Sequence, residues 1–554
     1  MTDRTDQATE HLPRPTTGRS DGTPSLARAS GSMAIATLVS RITGFAWKVM
    51  LAWAASLGVV NDSFTVANTL PNIVYELLFG GVLASVVVPL LVRAQDDRDG
   101  GLAYTQRLIT MGMSMLAVGT VVAVALAPLF TRLYMDGSTG EANPELATAF
   151  AYLLLPEIIF YGLFAILSAI LQAKQVFGPP AWAPVMNNVI VMATIGVYAV
   201  LPGEISLNPV RMGDAKLLTL GVGVTLGIAV QALVLLPALR RVGFRFRWNW
   251  GLDERFREFG GLALWIVGYV AISQVGMVFT TRVLTAGASG GAAIYSNAWL
   301  LFQLPYGVIG VSLLTAIMPR LSRSAADGDT DKLIADLSLG SRMSTVLLVP
   351  LSAILTVTGS SIGVALFNYG NADVADAQRL GDALAFSAFG ILPYALVMLQ
   401  LRVFYAMKDA RTPTLIMVVM TVVKIPLLYM CSGLLRPDHV VIGVLLVNSL
   451  TFVVGAVLGQ MWLWVRLGRL QSMRVVRVIV QSAAAGAGGV LLAFGAGLLV
   501  DLVLDGTGPT LVAWVKVVIQ SLLTGVAAFA LLAVFKVPEL DPAVQRITRL
   551  VRRG

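Results

Sequence analysis

The chain has 554 residues, of which 56% are hydrophobic and only 13% are charged, and its mean hydropathy is +0.78. A soluble chain has about a quarter of its residues charged, so this composition excludes a soluble globular protein. Apolar runs long enough to cross a hydrocarbon layer of ~30 Å recur along the chain. The sequence therefore predicts an all-α polytopic membrane protein.

In chain order, residues 1–30 contain no aromatic residue and are rich in Thr, Ser, Pro, Gly and charge, which predicts a disordered tail that is not cleaved. The apolar runs that follow predict fourteen transmembrane helices, and residues 536–554 form a basic tail. The predicted helices cover 31–57, 62–92, 108–131, 147–172, 180–201, 217–239, 259–286, 291–319, 337–366, 379–406, 413–434, 439–465, 475–504 and 510–535. Prolines inside them predict kinks at Pro71, Pro156, Pro305, Pro393 and Pro426.

The basic residues predict the orientation of these helices. If both termini are cytoplasmic, the cytoplasmic tails and loops carry 29 Lys and Arg residues, the opposite side carries six, and five lie inside helices. Cytoplasmic loops of membrane proteins are enriched in Lys and Arg. The sequence therefore predicts a plasma-membrane protein with both termini in the cytoplasm, and the net charge of +9 indicates topology rather than a nucleic-acid partner.

A weak internal repeat relates the two halves of the chain. Gly80 and Pro89 recur as Gly310 and Pro319, an offset of 230 residues. The pair Ala173 and Pro180 recurs as Ala406 and Pro413, an offset of 233. These offsets predict two parallel six-helix lobes.

The repeat also sets the predicted domain boundaries. The N-lobe covers 31–239 and the C-lobe 240–465, while two extra helices at 475–535 lie outside the repeat. Helices 2 and 8, which carry the repeated residues, are predicted to bend as the lobes rock. Their predicted hinge residues are Pro71, Gly80, Pro305 and Gly310.

Charged residues inside predicted helices indicate the functional site, because a charge at bilayer depth costs roughly 2.5–3.5 kcal/mol and needs water or a partner. Arg41 and Lys48 are two turns apart on one face of helix 1. They predict a cationic, water-filled cavity suited to a phosphate.

Arg282 is a third candidate cation. Candidate cavity or gating acids are Asp62, Glu76 and Glu157. The alternative interpretation is a set of internal salt bridges between Arg41 or Lys48 and Asp62 or Glu76.

Motifs for enzyme chemistry are absent from the sequence. There is no P-loop and no H-E-x-x-H, and two histidines and the lone Cys431 make no metal or catalytic cluster. We therefore expect no enzyme activity, no metal and no cofactor. Transport would draw on the membrane potential or an ion gradient, with the ion unknown.

Six motifs follow one another along the chain: SRITGF (40–45), DSFTVANTLPN (62–72), GGVLASVVVPLL (80–91), ILQAKQVFGPPAWAP (170–184), LPYGVIGVSLLTAIMPRLS (304–322) and FYAMKDARTPT (404–414). In this order they resemble the MurJ/MviN family of lipid II flippases, in the multidrug/oligosaccharidyl-lipid/polysaccharide exporter superfamily. The resemblance spans residues 31–535.

The resemblance implies a V-shaped pair of lobes around a cavity that opens alternately to each side, and a groove for a polyprenyl tail formed by the last two helices. It implies transport of the undecaprenyl-diphosphate-linked peptidoglycan precursor from the inner to the outer leaflet, in support of cell-wall biogenesis and cell shape. Arg41 and Asp62 match family residues of the cavity. Proteins of cell-wall synthesis or division are candidate partners, beside membrane lipids and the substrate.

The sequence departs from the family pattern at several cavity positions. A second arginine of helix 1 is replaced by Trp47, and the arginine of early helix 2 by Tyr75–Glu76. In helix 8, Leu300 occupies the position of a family arginine and Gln303 occupies the position of a family glutamate. We expect Lys48 and Arg282 to substitute in part for these charges.

Other functions stay open at this point. The runner-up is a flippase for another polyprenyl-linked glycan or a drug/cation antiporter of the same superfamily, although an antiporter should have a cavity dominated by carboxylates. A glycan-polymerising enzyme would need a catalytic outer loop, and the outer loops are short. A membrane scaffold without transport is the last alternative.

Overall fold

The computed structural model describes residues 26–80, 91, 94–137, 142–251, 260–287 and 289–540. Within these ranges the chain is almost entirely helical, and its only β pairing is an isolated bridge between Leu207 and Val210. The predicted all-α class is confirmed. The first helix begins at Leu26, so the last five residues of the predicted tail are helical, while residues 1–25 and 541–554 of the two predicted tails lie outside the described residues.

We number the helices α1 to α14 after the fourteen predicted segments, and several consist of consecutive pieces. They are α1 Leu26–Ala55; α2 Val59–Tyr75 with a π-helical continuation Glu76–Gly80; α3 Leu102–Ala125 and Ala127–Tyr134; α4 Pro144–Leu154 and Glu157–Ala173; α5 Gly178–Val200; α6 Ala215–Leu233 and Leu236–Arg241; α7 Gly260–Gly287; α8 Gly291–Pro305, π-helical Tyr306–Gly310 and Val311–Ala326; α9 Thr330–Phe367; α10 Val374–Ser387, a 3-10 turn Ala388–Gly390 and Ile391–Ala406; α11 Arg411–Leu434; α12 Val440–Leu467; α13 Ser472–Val503; and α14 Pro509–Val534.

Twelve of the described helices are long and apolar enough to cross a membrane, and the two halves of α4, bent by 43° at their junction, bring the number to thirteen. The structure describes α2 only as far as Gly80. Its predicted continuation to residue 92, including Pro89, falls largely outside the described residues. The fold class is therefore confirmed, and the number of fourteen spans stays a prediction.

The helix interruptions follow the internal repeat. Pro156 has no amide hydrogen to donate, and α4 breaks there as predicted. In α2 and α8, by contrast, the helix widens to a π-helical segment, at Glu76–Gly80 and at Tyr306–Gly310. These two segments are separated by 230 residues, the offset of the sequence repeat. Such segments are frequent at functional sites, and here they lie at matching positions of the two halves.

Buried apolar side chains form two main clusters. The first lies among helices α2 to α6 and includes Phe64 and Phe150, whose rings meet edge to face at 5.6 Å. The second lies among α8 to α12 and includes Phe302 and Leu445. Helices α13 and α14 pack on each other and on α9. A Cβ atom on Gly489 would lie 2.8 Å from the Thr524 carbonyl oxygen, so this glycine permits a close approach of α13 and α14.

Candidate functional site

The two predicted cations of α1 both lie against α8. The Lys48 ammonium donates a hydrogen bond of 2.7 Å to Ser296 Oγ. The Arg41 guanidinium lies beside the backbone of Gly307, so closely that a Cβ atom on this glycine would be 2.5 Å from a guanidinium nitrogen. Since α1 belongs to the first half of the chain and α8 to the second, both cations bridge the interface between the halves.

These cations have no acidic partner among the residues that the structure describes. No ion pair joins Arg41 or Lys48 to Asp62 or Glu76, so the alternative interpretation of internal salt bridges gains no support. The groups beside the two cations are a hydroxyl and a glycine backbone, which carry no net charge. Arg41 is also exposed. The pair can therefore offer positive charge to an anion.

Lys48 lines a small polar pocket of about 50 Å³. Its ammonium also lies 5.8 Å from the ring centre of Trp47, the residue that replaces a family arginine. The other polar lining residues are Asn61, Thr65, Asn68, Thr69, Ser296 and Asn297. Ligand pockets typically measure about 300–1,000 Å³, so this pocket admits a small group and not a disaccharide-peptide head.

Asp62 connects the two halves at the predicted outer end. Its side chain is fully buried, and its Oδ1 atom accepts a hydrogen bond of 2.7 Å from the backbone amide of Ala293. The amides of Gly290 and Ala292 also face this carboxylate. These amides form the N-terminus of α8, where the helix dipole favours negative charge. Asp62 thus caps a helix of the opposite half.

Further contacts surround Asp62 and form what we call the outer contact layer, which comprises Trp53–Gly58, Asp62, Arg132, Asp136, Arg282, Thr285, Gly290–Ala293 and Asn371. Gly290 has a φ of +78° and packs against the Leu57 carbonyl. Asn371 donates to the carbonyls of Trp53 and Ala54 at 3.1 and 3.0 Å. Within the described ranges, every hydrogen bond between residues 26–241 and 260–467 lies in this layer, except that of Lys48.

The structure places Arg282 in the outer contact layer and does not bring it together with Arg41 and Lys48. Its guanidinium pairs with Asp136 at 3.2 Å and donates to the Arg132 carbonyl at 3.2 Å. The position of Arg282 does not support the expectation that it substitutes for a cavity arginine, because its guanidinium is already paired with the carboxylate of Asp136. Sequence reasoning missed Asp136 and Asn371, since both lie in short connections with no motif to mark them.

The three predicted acids lie in three different environments. Asp62 belongs to the outer contact layer. Glu76 is the first residue of the π-helical segment of α2, is half-buried and lies beside the Asn72 side chain. Glu157 is fully buried inside the first half of the chain, where the Thr225 hydroxyl of α6 lies 3.2 Å from its Oε1 atom. The structure therefore separates Glu157 from the interface that holds Arg41 and Lys48.

The predicted hinge residues lie at the π-helical segments. Pro71 lies five residues before the segment of α2 and Gly80 ends it, while Pro305 directly precedes the segment of α8 and Gly310 ends it. The Tyr306 ring packs on Gly310, where a Cβ atom would be 2.4 Å from it. Among the described residues there is no group of three or more His, Cys, Asp or Glu side chains able to hold a metal ion.

Solved structures with a similar fold are transporters. A structure titled lipid II flippase MurJ, inward closed conformation, superposes with a TM-score of 0.71 at 18% identity, covering 91% of this chain and 99% of that one. An inward-facing multidrug transporter of the MATE family, in the MOP superfamily, superposes with a TM-score of 0.61 at 15% identity, covering 79% of this chain and 98% of that one. At these identities the likeness concerns the fold.

Sequence comparison identifies the family. The lipid II flippase MurJ of Burkholderia cenocepacia is 29% identical over 386 residues, which are 68% of this chain and 72% of that protein. A probable lipid II flippase MurJ of Vibrio cholerae is 26% identical over 390 residues, again 68% and 72%. The family model described as lipid II flippase MurJ matches residues 54–507. Because this match covers most of the sequence, the chain belongs to the MurJ family.

Proposed function

We propose that this chain moves lipid II, the undecaprenyl-diphosphate-linked precursor of peptidoglycan, from the inner to the outer leaflet by alternating access. The observation that carries the proposal is the position of Arg41 and Lys48. Both cations extend from α1 to α8 of the opposite half, and no acid among the described residues neutralises them. The relatives named above are called flippases for the same lipid.

The physical task is to carry a diphosphate and a large polar head through hydrocarbon while the tail stays in lipid. Charged and polar groups cannot cross the bilayer core unaided, because each unsatisfied polar group costs several kcal/mol there. Charge-assisted hydrogen bonds from a guanidinium and an ammonium bind phosphate oxygens strongly. Arg41 and Lys48 would hold the diphosphate at the interface of the lobes, while the head occupies the space between them.

Alternating access also requires that one end of the cavity close while the other opens. The outer contact layer closes the predicted outer end through Asp62, Gly290 and Asn371. Release to the outer leaflet would break these contacts, with α2 and α8 bending at their paired π-helical segments. With no nucleotide-binding motif in the sequence, the work would come from the membrane potential, worth about 2.3 kcal/mol per charge per 100 mV, or from an ion gradient.

The first test is replacement of the cations in cells depleted of the native flippase. Arg41→Ala and Lys48→Ala should each lower the delivery of lipid II to the outer leaflet by at least tenfold, since a bidentate or charge-assisted contact is worth ~1.5–3 kcal/mol. Lys48→Arg should retain most of the delivery. Arg211→Ala, at an exposed arginine between α5 and α6, is the matched control. Normal delivery by Arg41→Ala would refute the site.

The alternatives are separated by purified protein in lipid vesicles. Lipid II, another undecaprenyl-diphosphate-linked glycan and a cationic drug are supplied in turn, and their appearance in the opposite leaflet or inside the vesicle is measured. The proposal expects movement of lipid II that Arg41→Ala abolishes. Movement of the other glycan alone, of the drug alone, or of nothing would overturn it in favour of a different flippase, an antiporter or a scaffold.

A further inference from the structure

We propose that Glu157 is a proton-binding site of the N-lobe, and that its protonation and deprotonation accompany the alternation of access. This inference rests on the proposed transport function and adds its coupling ion. The site is formed by Glu157, Thr225 and the carbonyl of Leu153, at the break in α4.

The position of Glu157 is typical of a functional group in a transporter. It is the first residue after the break at Pro156 and lies near the middle of α4, thirteen residues from Pro144 and sixteen from Ala173. Broken helices at mid-membrane depth often carry ion sites in secondary transporters. Its side chain is fully buried, and its Oε2 atom has no hydrogen-bond partner among the described residues.

The hydrogen-bond geometry favours a protonated carboxyl group. The Thr225 hydroxyl has a single hydrogen, and it lies 2.8 Å from the Leu153 carbonyl oxygen and 3.2 Å from Glu157 Oε1. If that hydrogen makes the shorter bond to Leu153, Thr225 can only accept a hydrogen bond on the side of Glu157. A carboxyl group donates only when it holds a proton.

No counter-charge for Glu157 is found in the part of the chain that the structure describes. Beside the Thr225 hydroxyl, the one group among the described residues that interacts electrostatically with it is the phenol of Tyr161, one turn along α4. The other ionisable residues on the helices packed around α4 are Asp62, Tyr75 and Glu76 of α2, Tyr104, Arg107, Arg132 and Tyr134 of α3, and Lys216, Arg240 and Arg241 of α6. Residues 81–92, mostly outside the described ranges, contain no ionisable side chain.

An ionised carboxylate in such a place costs several kcal/mol unless a proton or another cation accompanies it. A hard metal cation takes a shell of several oxygen ligands. In this site the Thr225 hydroxyl already donates its hydrogen to the Leu153 carbonyl. Among the described residues, that carbonyl is the one further oxygen hydrogen-bonded to the hydroxyl or to the carboxyl group of Glu157. The geometry therefore favours a proton over a metal cation.

The C-lobe shows that the helix break does not require this carboxyl group. In α10 the matching break falls between Ser387 and Ile391, and the offset of 233 places Gly390 at the position of Glu157. Ser449 of α12 donates to the Ser387 carbonyl at 2.8 Å, as Thr225 of α6 donates to Leu153. In both lobes a hydroxyl thus donates to a backbone carbonyl at the helix break. Of the two matched positions, Glu157 and Gly390, the one in the N-lobe carries a carboxyl group.

Contacts link Glu157 to a segment that can bend. Tyr161 stacks on Tyr75 with ring centres 6.0 Å apart, and Tyr75 directly precedes the π-helical segment Glu76–Gly80 of α2. A change of charge on Glu157 would act on Tyr161 and, through the stacked rings, on this segment. The proton site and the predicted hinge of α2 are therefore two contacts apart.

The test compares two modes of lipid II movement in vesicles: exchange without any gradient, and accumulation driven by a pH difference. Glu157→Gln keeps the shape and hydrogen-bonding capacity of the neutral acid, so exchange should stay within about twofold. Accumulation driven by the pH difference should be lost. Glu204→Gln, at an exposed acid between α5 and α6, is the control and should retain both. Retention of pH-driven accumulation by Glu157→Gln, or loss of both modes, would overturn the proposal.

A second measurement does not depend on a variant that transports. Infrared spectra of the wild-type protein should show a protonated carboxyl band that disappears as the pH rises and is missing in Glu157→Gln. A band that responds to sodium at constant pH, or no band assignable to Glu157, would contradict proton binding. Absence of exchange in the wild-type protein would instead refute the proposed transport function, and the two failures are thereby distinguished.

Discussion

The N-lobe and the C-lobe share a framework but differ in charge. Each lobe contains a π-helical segment, and the two segments are separated by the offset of the sequence repeat. In each lobe the fourth helix is also broken, and a hydroxyl donates a hydrogen bond to a backbone carbonyl at the break. At the N-lobe positions Asp62, Glu76 and Glu157, the C-lobe has Ala292, Tyr306 and Gly390. At these matched positions the carboxyl groups therefore lie in the N-lobe, and under the proposed mechanism they would bind the ions whose gradient or potential drives the motion of the lobes.

The cations follow the same asymmetry. Arg41 and Lys48 belong to the N-lobe, and what the C-lobe presents to them is neutral, the hydroxyl of Ser296 and the backbone of Gly307. At these two contacts the N-lobe thus supplies the charge and the C-lobe supplies neutral groups. The following variants test this division, in order of expected effect.

The largest effect is expected from Gly290→Ala in the outer contact layer. Gly290 has a φ of +78°, and a Cβ atom there would lie 1.7 Å from the Leu57 carbonyl oxygen. The two lobes could then no longer meet at this end, and transport should fall by more than tenfold. Cysteines placed on either side of the layer should fail to cross-link in the variant.

Gly203→Ala is the control for backbone strain alone. Gly203 has a φ of +84°, and a Cβ atom there would meet nothing within 4 Å. It should leave transport near the wild-type value. Equal losses in both variants would show that strain, and not the meeting of the lobes, explains the effect of Gly290→Ala.

The second variant, Gly390→Ala, tests the helix break of the C-lobe. A Cβ atom on Gly390 would lie 2.3 Å from Ser449 Oγ, and overpacking of this kind costs about 1–3 kcal/mol. We expect a lower thermal midpoint in detergent, whereas Gly196→Ala, a helical glycine with nothing within 4 Å, should be neutral or stabilising. An unchanged midpoint for Gly390→Ala would mean that α10 and α12 adjust freely.

The third variant, Asp62→Asn, tests the helix cap between the lobes. The amide keeps one acceptor oxygen for the Ala293 amide but loses the charge at the N-terminus of α8, and a charge at a helix end is worth up to ~2 kcal/mol. Closure of the outer end should weaken by up to about thirtyfold, seen as greater labelling of a cysteine in the layer. Labelling equal to that of the wild-type protein would contradict an electrostatic role for Asp62.

Much of the fold could be predicted from the sequence, because hydrophobic length and proline position are local signals. Each predicted helix corresponds to a helix of the structure, and the break at Pro156 falls where expected. Repeated glycines at 80 and 310 indicated helices that bend, yet the π-helical form itself carries no residue signature that we could recognise. The start of α1 at Leu26 was missed since LARAS reads as polar tail.

The site was predicted less completely, because its contacts depend on how the lobes meet. Lys48 was identified by its distance of two turns from Arg41, and its partner Ser296 lies 248 residues away. Arg282 has the same chemistry as the other cations, and only the fold shows that Asp136 pairs with it. The sequence identified Asp62 as a candidate acid of the cavity. It could not show that Asp62 caps α8, because the amide that Asp62 binds belongs to a residue 231 positions away.

The smallest effect is expected at Asp409, in the C-lobe connection between α10 and α11. Burial by itself would raise the pKa of Asp409, but hydrogen bonds from the Thr412 amide and hydroxyl, together with the Arg466 guanidinium, outweigh it and hold the pKa below its usual value. The matching N-lobe position, by the offset of 233, is Val176, which cannot titrate. The N-lobe therefore lacks a carboxylate at the position that matches Asp409.

Because the pKa of Asp409 is lower in the folded state than in the unfolded chain, its ionised form stabilises the protein above the unfolded value of about 3.9. That contribution is lost as the pH falls through the folded value. Asp409→Asn should lower the free energy of unfolding by up to about 1 kcal/mol at neutral pH, as expected for loss of a negative charge at a helix N-terminus and of its ion pair with Arg466. In strong acid the variant and the wild-type protein should unfold at the same temperature, as followed by thermal melting in detergent. If the variant unfolds at a lower temperature than the wild-type protein in acid as well, and by the same amount, Asp409 acts by its shape and by neutral hydrogen bonds. Its charge would then not stabilise the C-lobe connection.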